Sequence, residues 1–341
     1  MMKIGSWQFN SPAFVAPMAG VTDRPYRRLC KALGAEYAVT EMAASNPRLW
    51  HSVKTARRLD HSGEPDPIAV QITGSDPAMM AEAALFNIDK GAHIIDINMG
   101  CPVKKVCNVL SGSALLKDED LVARIVEKVV QACQPHGIPV TLKTRTGWDH
   151  SNKNALQVAK RAEDAGIAAF TLHGRTRCDL YRGQAEYDTI REVKAALRIP
   201  VIANGDIDSP QKAQFVLAYT GADAVMVGRA AQGRPWIFRE INYFLQHQRH
   251  LDPPTYGEMK QVLLEHLEDH YDFYGEFIGV RSARKHIGWY LADSPDAAHW
   301  LVSMNKIECT TQQLQAVARW FDQHDPHDFF VPAASGSPNN L

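Results

Sequence analysis

Short apolar runs alternate with amphipathic stretches from residue 13 to about residue 245. Each run is rich in β-branched residues, as is typical of strands buried on both faces of a parallel sheet. The runs cover residues 13–19, 37–42, 68–74, 93–100, 139–147, 169–175, 200–206 and 224–229. Eight β/α units of this kind predict an α/β fold, a (β/α)8 TIM barrel. A doubly wound parallel sheet is the poorer alternative because the sequence has no G-x-G-x-x-G fingerprint.

The strand pattern stops near residue 247, and helical periodicity follows a predicted linker at residues 250–254. Thr255 and Glu258 have the spacing of a capping box, and apolar residues follow at the spacing of one helix face. Three more helices are predicted over residues 277–292, 295–305 and 310–323.

Three regions follow from these patterns. Residues 1–247 are predicted to form the barrel, and residues 255–325 a small all-α helical bundle domain. The tail over residues 326–341 contains ASGSPNN and is predicted to be disordered.

Composition narrows the functional classes. The chain has 341 residues, a formal net charge of -1, and no basic excess of the kind that many nucleic-acid-binding proteins carry. Any contact with RNA must therefore use a local patch. Six cysteines without a C-x-x-C pair indicate reduced thiols, and no signal peptide or membrane span is recognisable. We expect a cytoplasmic protein, monomeric, with no protein partner implied.

The carboxyl ends of barrel strands carry the active sites of this fold. Gly205, Gly228 and Arg229 follow the seventh and eighth predicted strands, where barrels commonly bind phosphate. Glycine amides and a guanidinium group suit phosphate oxygens, so we expect a phosphorylated ligand. The alternative is that these are turn glycines beside a surface arginine.

Lys143 and His173 end adjacent strands and can both point into the mouth of the barrel. Positive charge or hydrogen-bond donors there would stabilise a reduced flavin, and Gln71 could bond the imide edge of its ring. Lys143 considered alone is equally compatible with a Schiff base or with a structural ion pair.

Cys101 follows the fourth predicted strand in the segment NMGCP. A lone cysteine is more often a small buried apolar residue than a catalyst. A thiol that is protonated at neutral pH can, however, donate a proton to carbon. Cys107 lies further along the same loop. No other ligands cluster with this pair, so we predict no metal site.

Several segments together resemble the tRNA-dihydrouridine synthases, most closely their bacterial B type. They are APMAGVTDRPYR, QITGSDP, IIDINMGCPVKKV with GSALL, LKTRTGW, LHGRTR, VIANGDI, VMVGRAAQGRPWIF and RSARKHIGWY. The match covers the barrel and extends into the helical domain. Cys107 is a departure, since a polar residue is expected there, and the C-terminal tail is also unlike the family.

The resemblance implies a barrel that binds FMN tightly and a helical domain that binds tRNA, with NADPH as electron donor. It also implies cofactor-binding residues, which are Pro17, Met18, Ala19, Gln71, Lys143, His173, Asn204, Gly205, Asp206, Gly228 and Arg229. Cys101 is implied as the catalytic residue. Hydride from the reduced flavin would reach C6 of a flipped-out uracil and Cys101 would protonate C5. The target would be a D-loop uridine, position 17 of the tRNA.

Basic residues offer candidate RNA contacts. Arg281, Arg284 and Lys285 fall at i, i+3 and i+4, which would place them on one helix face. The other predicted substrate and RNA contacts are Asn98, Lys104, Lys105, Arg145, Arg175, Arg177 and Arg234. Without the resemblance, such charges could equally form an ordinary solvated face.

Three rival functions use the same residues. A small-molecule flavin enzyme similar to dihydroorotate dehydrogenases or ene reductases would not need the basic helix. A flavin-free lyase would use Lys143 as a Schiff base, and the purified protein would be colourless. A non-catalytic RNA-binding barrel would have no need of Cys101, Lys143 and His173.

Overall fold

A computed structural model describes residues 1–330 except 51, 108, 109, 293, 295 and 296, and gives no side chains for residues 53, 54, 104 and 105. Most of the predicted tail, from residue 331 onward, therefore lies outside the described residues, as do the side chains of Lys104 and Lys105. The strands are β1 (Met2–Ile4), β2 (Trp7–Phe9), β3 (Ala13–Val15), β4 (Ala43–Ala44), β5 (Ala69–Thr73), β6 (Ile94–Met99), β7 (Val140–Arg145), β8 (Ala169–His173), β9 (Val201–Asn204) and β10 (Ala224–Val227).

Strands β3 to β10 form one parallel sheet in the order β3-β10-β9-β8-β7-β6-β5-β4. The sheet curls until its ends meet, because Val15 forms a parallel bridge to Ala38, just before β4. The Val15 N–H donates to the Tyr37 carbonyl at 2.9 Å. The predicted (β/α)8 barrel is confirmed.

The second strand differs from its prediction over residues 37–42. Only Ala38 and Val39 form bridges there, and the regular strand is Ala43–Ala44. The side chain of Thr40 accepts the Gln71 N–H at 3.0 Å, so a hydroxyl replaces a backbone carbonyl in the ladder. This substitution interrupts the strand just where the apolar run predicted it.

Helices follow the strands around the barrel and continue after it. They are α1 (Arg24–Ala32), α2 (Val53–Arg58), α3 (Pro77–Asp89), α4 (Lys104–Cys107), α5 (Glu119–Cys133), α6 (Ala155–Asp164), α7 (Asp188–Ala196), α8 (Pro210–Thr220), α9 (Ile237–His247), α10 (Tyr256–Tyr274), α11 (Glu276–Tyr290), α12 (Ala297–Met304) and α13 (Thr310–Phe321). No helix in the described part of the chain combines the length and the apolar character needed to cross a membrane.

An N-terminal hairpin, not predicted from the sequence, covers the amino-terminal end of the barrel. Strands β1 and β2 pair in antiparallel register. Phe9 contacts Phe14 and Tyr37 edge to face, with ring centroids 5.3 and 5.4 Å apart. These rings belong to a small apolar cluster at the base of the barrel, separate from the main core between sheet and helices.

Helices α10, α11, α12 and α13 form the predicted all-α region around a core of its own. Helix α10 begins at the predicted capping box, in which the Glu258 N–H donates to Thr255 Oγ1 at 3.2 Å and the Thr255 N–H donates to Glu258 Oε2 at 2.9 Å. Two reciprocal bonds satisfy backbone donors that the first turn would otherwise leave free.

The disordered tail was predicted to begin at residue 326, and the structure corrects this for residues up to Phe330. Phe329 forms a bridge with Thr255, and the Phe330 N–H donates to the Pro254 carbonyl at 2.9 Å. Phe330 is buried in the core of the helical region. The composition of the tail did not predict this order, because the apolar surface that anchors the segment comes from the single buried side chain of Phe330.

The helical region packs closely against the barrel. Arg28 on α1 bonds Asp269 on α10 at 3.1 Å. A Cβ atom on Gly233 would lie 2.2 Å from the Trp289 carbonyl oxygen of α11, so only glycine fits there. The residues after β10 and the helical region are therefore in direct backbone contact.

Candidate active site

A chain of buried hydrogen bonds joins side chains of β5, β6 and β7. Asn98 Nδ2 donates to Gln71 Oε1, and Gln71 Nε2 donates to Asp96 Oδ2, each at 2.7 Å. Thr141 Oγ1 donates to Asp96 Oδ1 at 2.6 Å. Buried amides linked in this way have fixed orientations because reversing one would break two bonds.

The same network holds the backbone of Cys101. Asn98 Oδ1 accepts the N–H groups of Gly100 and Cys101 at 3.2 and 3.0 Å. The Cys101 carbonyl accepts the Ser113 hydroxyl at 2.9 Å. Burial raises the pKa of the Cys101 thiol, so the group stays protonated at neutral pH. A protonated, partly exposed thiol in a fixed position is suited to donating a proton.

Lys143 lies at the end of β7 and donates from Nζ to Asn204 Oδ1 at 2.9 Å. Asn204 in turn donates to the Met226 carbonyl at 2.8 Å. Burial, helped by the nearby Arg145 charge, lowers the pKa of Lys143 to about 8. Lys143 forms no ion pair within the described residues, which argues against the purely structural alternative for it.

His173 ends β8 and is uncharged. Burial, together with nearby cations including Arg145 and Lys143, holds its pKa well below the usual value. Its Nε2 lies 3.3 Å from Arg175 Nη1, which can only donate, so Nε2 accepts and the proton stands on Nδ1. Of the two predicted roles, charge or donor, the structure therefore favours the donor.

Backbone amides line the predicted phosphate corner after β9 and β10. No hydrogen bond among the described residues uses the N–H groups of Gly205, Asp206 or Gly228. Gly205 has φ +123°, and a Cβ there would lie 2.7 Å from the Ala185 Cβ, so glycine is required. Unpaired N–H groups beside an arginine are suited to an anion, because they offer donors without a competing partner.

Arg229 lies at this corner with about half of its side chain exposed and bonds Asp206 at 3.1 Å. Met18 lies close to Gly228, because a Cβ atom built on this glycine would be 3.7 Å from the Met18 sulfur. The segment Pro17–Ala19 after β3 therefore adjoins the corner. The structure brings these predicted cofactor residues to one end of the barrel.

Two predicted RNA contacts are instead buried and fully engaged. Arg175 is 3% exposed and makes a two-point ion pair with Asp206 at 2.9 and 2.6 Å. Arg145 is 2% exposed and donates to the carbonyls of Gly100, Thr176 and Leu180. Both guanidinium groups position the loops around the mouth and are not presented to an RNA backbone.

The predicted basic face of α11 is divided. Arg281 pairs with Glu308 at 3.0 Å and Arg284 donates to the Ile307 carbonyl at 3.0 Å. Lys285 instead donates to the Gly20 carbonyl of the barrel. The first two lie beside the loop between α12 and α13, whereas Lys285 joins the helical region to the barrel mouth.

Arg234, also predicted to contact RNA, pairs with Glu240 at 2.5 Å. Three contacts between an arginine and an aromatic ring lie at the rim. Arg177 lies over the Trp148 ring at 4.6 Å. Tyr181, missed in the sequence, is 53% exposed and lies between Arg145 and Arg229, at 5.3 and 5.1 Å. An aromatic residue in the loop after the sixth barrel strand was the available signal.

Comparisons with known proteins identify relatives of this chain. Residues 14–324 match the family model for dihydrouridine synthase. The chain is 56% identical to tRNA-dihydrouridine synthase B of Xanthomonas axonopodis, over 94% of this chain and 96% of that protein. It is 55% identical to tRNA-dihydrouridine synthase B of Pseudomonas aeruginosa, over 98% and 99%.

Among solved structures, an old yellow enzyme homologue from Zymomonas mobilis aligns with a TM-score of 0.50 at 14% identity, over 73% of this chain and 92% of that one. This likeness supports the barrel fold. The sequence matches go further, and by them the chain belongs to the dihydrouridine synthase family.

Proposed function

We propose that this protein reduces a specific uridine of tRNA to 5,6-dihydrouridine. The observation that carries the proposal is Cys101, a protonated thiol held at the mouth of the barrel by Asn98 and Ser113. Family membership and full-length relatives named tRNA-dihydrouridine synthase B support it. The helical region would help to bind the tRNA.

The residues of the mouth fit FMN. The unpaired N–H groups of Gly205, Asp206 and Gly228, with Arg229, suit a phosphate. Lys143 and the Nδ1–H of His173 suit the electron-rich edge of an isoalloxazine ring. When bound, the flavin would supply hydride, and NADPH is the proposed electron donor.

Cys101 would supply the proton. Reduction of the C5=C6 bond adds one hydride and one proton, and conjugation with the C4 carbonyl places the hydride at C6 and the proton at C5. The raised pKa keeps a proton on sulfur, and the bonds to Asn98 and Ser113 fix its position. A cytoplasmic location, where cysteines stay reduced, would suit this role. We also propose that the protein acts as a monomer, because every residue assigned to the site above belongs to one chain.

The target base must leave its stack to reach Cys101. Asn98 can bond the polar edge of the uracil, because one N–H of its amide is not used in the network with Gln71. Arg177, Arg281 and Arg284 are the proposed backbone contacts. Similarity to the B type favours a D-loop uridine, position 17.

The test is a mass-spectrometric dihydrouridine assay with purified protein, NADPH and two substrates, unmodified tRNA transcript and cellular tRNA lacking dihydrouridine. Dihydrouridine at one position establishes the reaction and identifies the target. A reducible flavin with no product on either tRNA would contradict the proposal and favour a small-molecule reductase.

Replacing Lys143 by methionine is expected to weaken FMN binding and remove its pH dependence. In the chain without ligand the pKa of Lys143 is about 8, and an anionic ligand would raise it. FMN affinity of the original protein should then be flat below pH 8 and fall above it, by up to about tenfold per pH unit. Fluorescence titration between pH 6.5 and 9.5 measures this, and an unchanged slope in Lys143→Met would exclude the lysine as the cause.

A further inference from the structure

Three histidines lie together where the helical region meets the barrel. His266 and His270 are one turn apart on α10, and His286 is on α11. All three are at most 2% exposed. One ring nitrogen from each lies within 4.8 Å of the other two. None of them belongs to the site at the mouth of the barrel.

Most of their ring nitrogens have no partner. Nδ1 and Nε2 of His266 and of His286 are buried without a hydrogen bond among the described residues, as is Nδ1 of His270. The Tyr26 ring packs against His266 and His286, with centroids 5.7 and 6.0 Å apart, and this packing accounts for the burial of the two imidazole rings. It does not explain five unsatisfied nitrogens, each of which costs free energy when buried.

Ser282 determines the tautomer of His270. Its hydroxyl lies 2.8 Å from the Ile278 carbonyl, and only the hydroxyl hydrogen can bridge two oxygens at that distance. Ser282 Oγ therefore accepts from His270 Nε2 at 2.7 Å. The proton of His270 stands on Nε2, and its Nδ1 carries a free lone pair.

A carboxylate faces that lone pair. Asp23 caps α1 through Oδ1, which accepts the Tyr26 N–H at 3.0 Å. Its Oδ2 lies 3.6 Å from His270 Nδ1, and both side chains are at most 2% exposed. Two acceptors facing each other in a buried space repel unless a proton or a metal cation lies between them, and a shared proton would leave the nitrogens of His266 and His286 unsatisfied.

We propose that His266, His270 and His286 bind one divalent transition-metal ion of the zinc class, with the Asp23 carboxylate as fourth ligand. Imidazole nitrogens and a carboxylate are a recognised donor set for zinc, and Ser282 would orient His270 from behind. Bonds of about 2.0 Å place tetrahedral ligands about 3.3 Å apart. The most distant nitrogens, 4.8 Å apart, must then approach by about 1.5 Å, which rotation about the side-chain torsions of the histidines would supply.

The ion would join both parts of the chain. Two ligands come from α10, one from α11, and the fourth precedes α1 of the barrel. A metal bridge at this place would hold the helical region in one orientation relative to the mouth, where the tRNA is proposed to bind. The proposed role is structural because the ion would join α10 and α11 to the segment that precedes α1.

The test uses tag-free protein with its flavin, stripped of metal by a chelator and then exposed to zinc or cobalt(II). We expect about one tightly held ion per chain by elemental analysis and the visible absorption of tetrahedral cobalt(II). Zinc at about 100 times its dissociation constant should raise Tm by roughly 3 °C, and magnesium should not. Less than about a tenth of an ion per chain, without cobalt absorption, would overturn the proposal.

Variants separate this site from surface histidines. His286→Phe keeps an aromatic ring against Tyr26 and should raise the zinc dissociation constant at least about 100-fold, since losing even an orienting group costs 10- to 100-fold. Ser282→Ala should cost about tenfold. His299→Gln removes an exposed histidine and should bind as before. Equal zinc binding by His286→Phe and the original chain would also overturn the proposal.

Discussion

Replacing Cys101 by alanine is expected to lower dihydrouridine formation by about 10²- to 10⁴-fold, the usual contribution of a positioned proton donor. The thiol is the group that the Asn98 and Ser113 bonds place at the mouth, and its raised pKa keeps it protonated. Flavin content and NADPH oxidation should be unchanged because neither needs that proton. Single-turnover reduction of tRNA, followed by mass spectrometry, is the measurement.

Cys107 provides the matched control. Its sulfur lies 3.6 Å from the Cys101 carbonyl and 3.6 Å from the Ser113 hydroxyl, so it supports the loop through weak contacts only. Cys107→Ala should retain activity within about tenfold, as expected for loss of one weak bond. Normal product formation by Cys101→Ala, or an equal loss in both variants, would show that Cys101 is not the proton donor.

Replacing Arg175 by methionine is expected to lower the free energy of unfolding by about 1.5–3 kcal/mol, the range for lost hydrogen bonds of a charged group, since Asp206 is partly exposed and keeps Arg229. The change leaves Asp206 without its two-point partner and frees the carbonyl of Gly183, which Arg175 Nη2 bonds at 2.6 Å. Urea unfolding of the protein without FMN measures the effect, since bound ligand would add its own stabilisation. FMN binding, measured separately, should weaken because Asp206 adjoins the phosphate corner.

Arg229→Met is the control, since Arg229 bonds the same carboxylate from an exposed position. It should change stability by at most about 1 kcal/mol because solvent screens exposed pairs. If Arg175 contacted RNA directly, Arg175→Met would instead keep its stability and lose tRNA affinity. That pattern would contradict the buried role which the structure indicates.

Much of the site could be predicted because a parallel barrel brings all its strand ends to one face. Five polar residues were identified from their positions along the apolar runs, and each lies within or at the end of a barrel strand: Gln71, Asn98, Lys143, His173 and Asn204. The hydrogen bonds between them could not be predicted in the same way. A partner such as Asn204 for Lys143 comes from a strand 61 residues distant.

Charge was the least predictable property. Arg145 and Arg175 are charged residues of a type that usually lies at the surface. The fold nevertheless buries them among carbonyls supplied by the loops after β6 and β8. Helical spacing placed Arg281, Arg284 and Lys285 on one face, but the neighbours of that face differ along its length. Spacing specifies which side chains are adjacent on a helix and says nothing of what packs against them.

Sequence alone determined the β/α alternation, the capping box at Thr255 and the turn that carries Cys101, because each depends on residues close together along the chain. Tertiary structure alone decided the closure of the barrel at Ala38, the anchoring of Phe330 and the meeting of His286 with His266 and His270. These depend on packing between distant segments, and local patterns specify which surfaces are buried without specifying their partners.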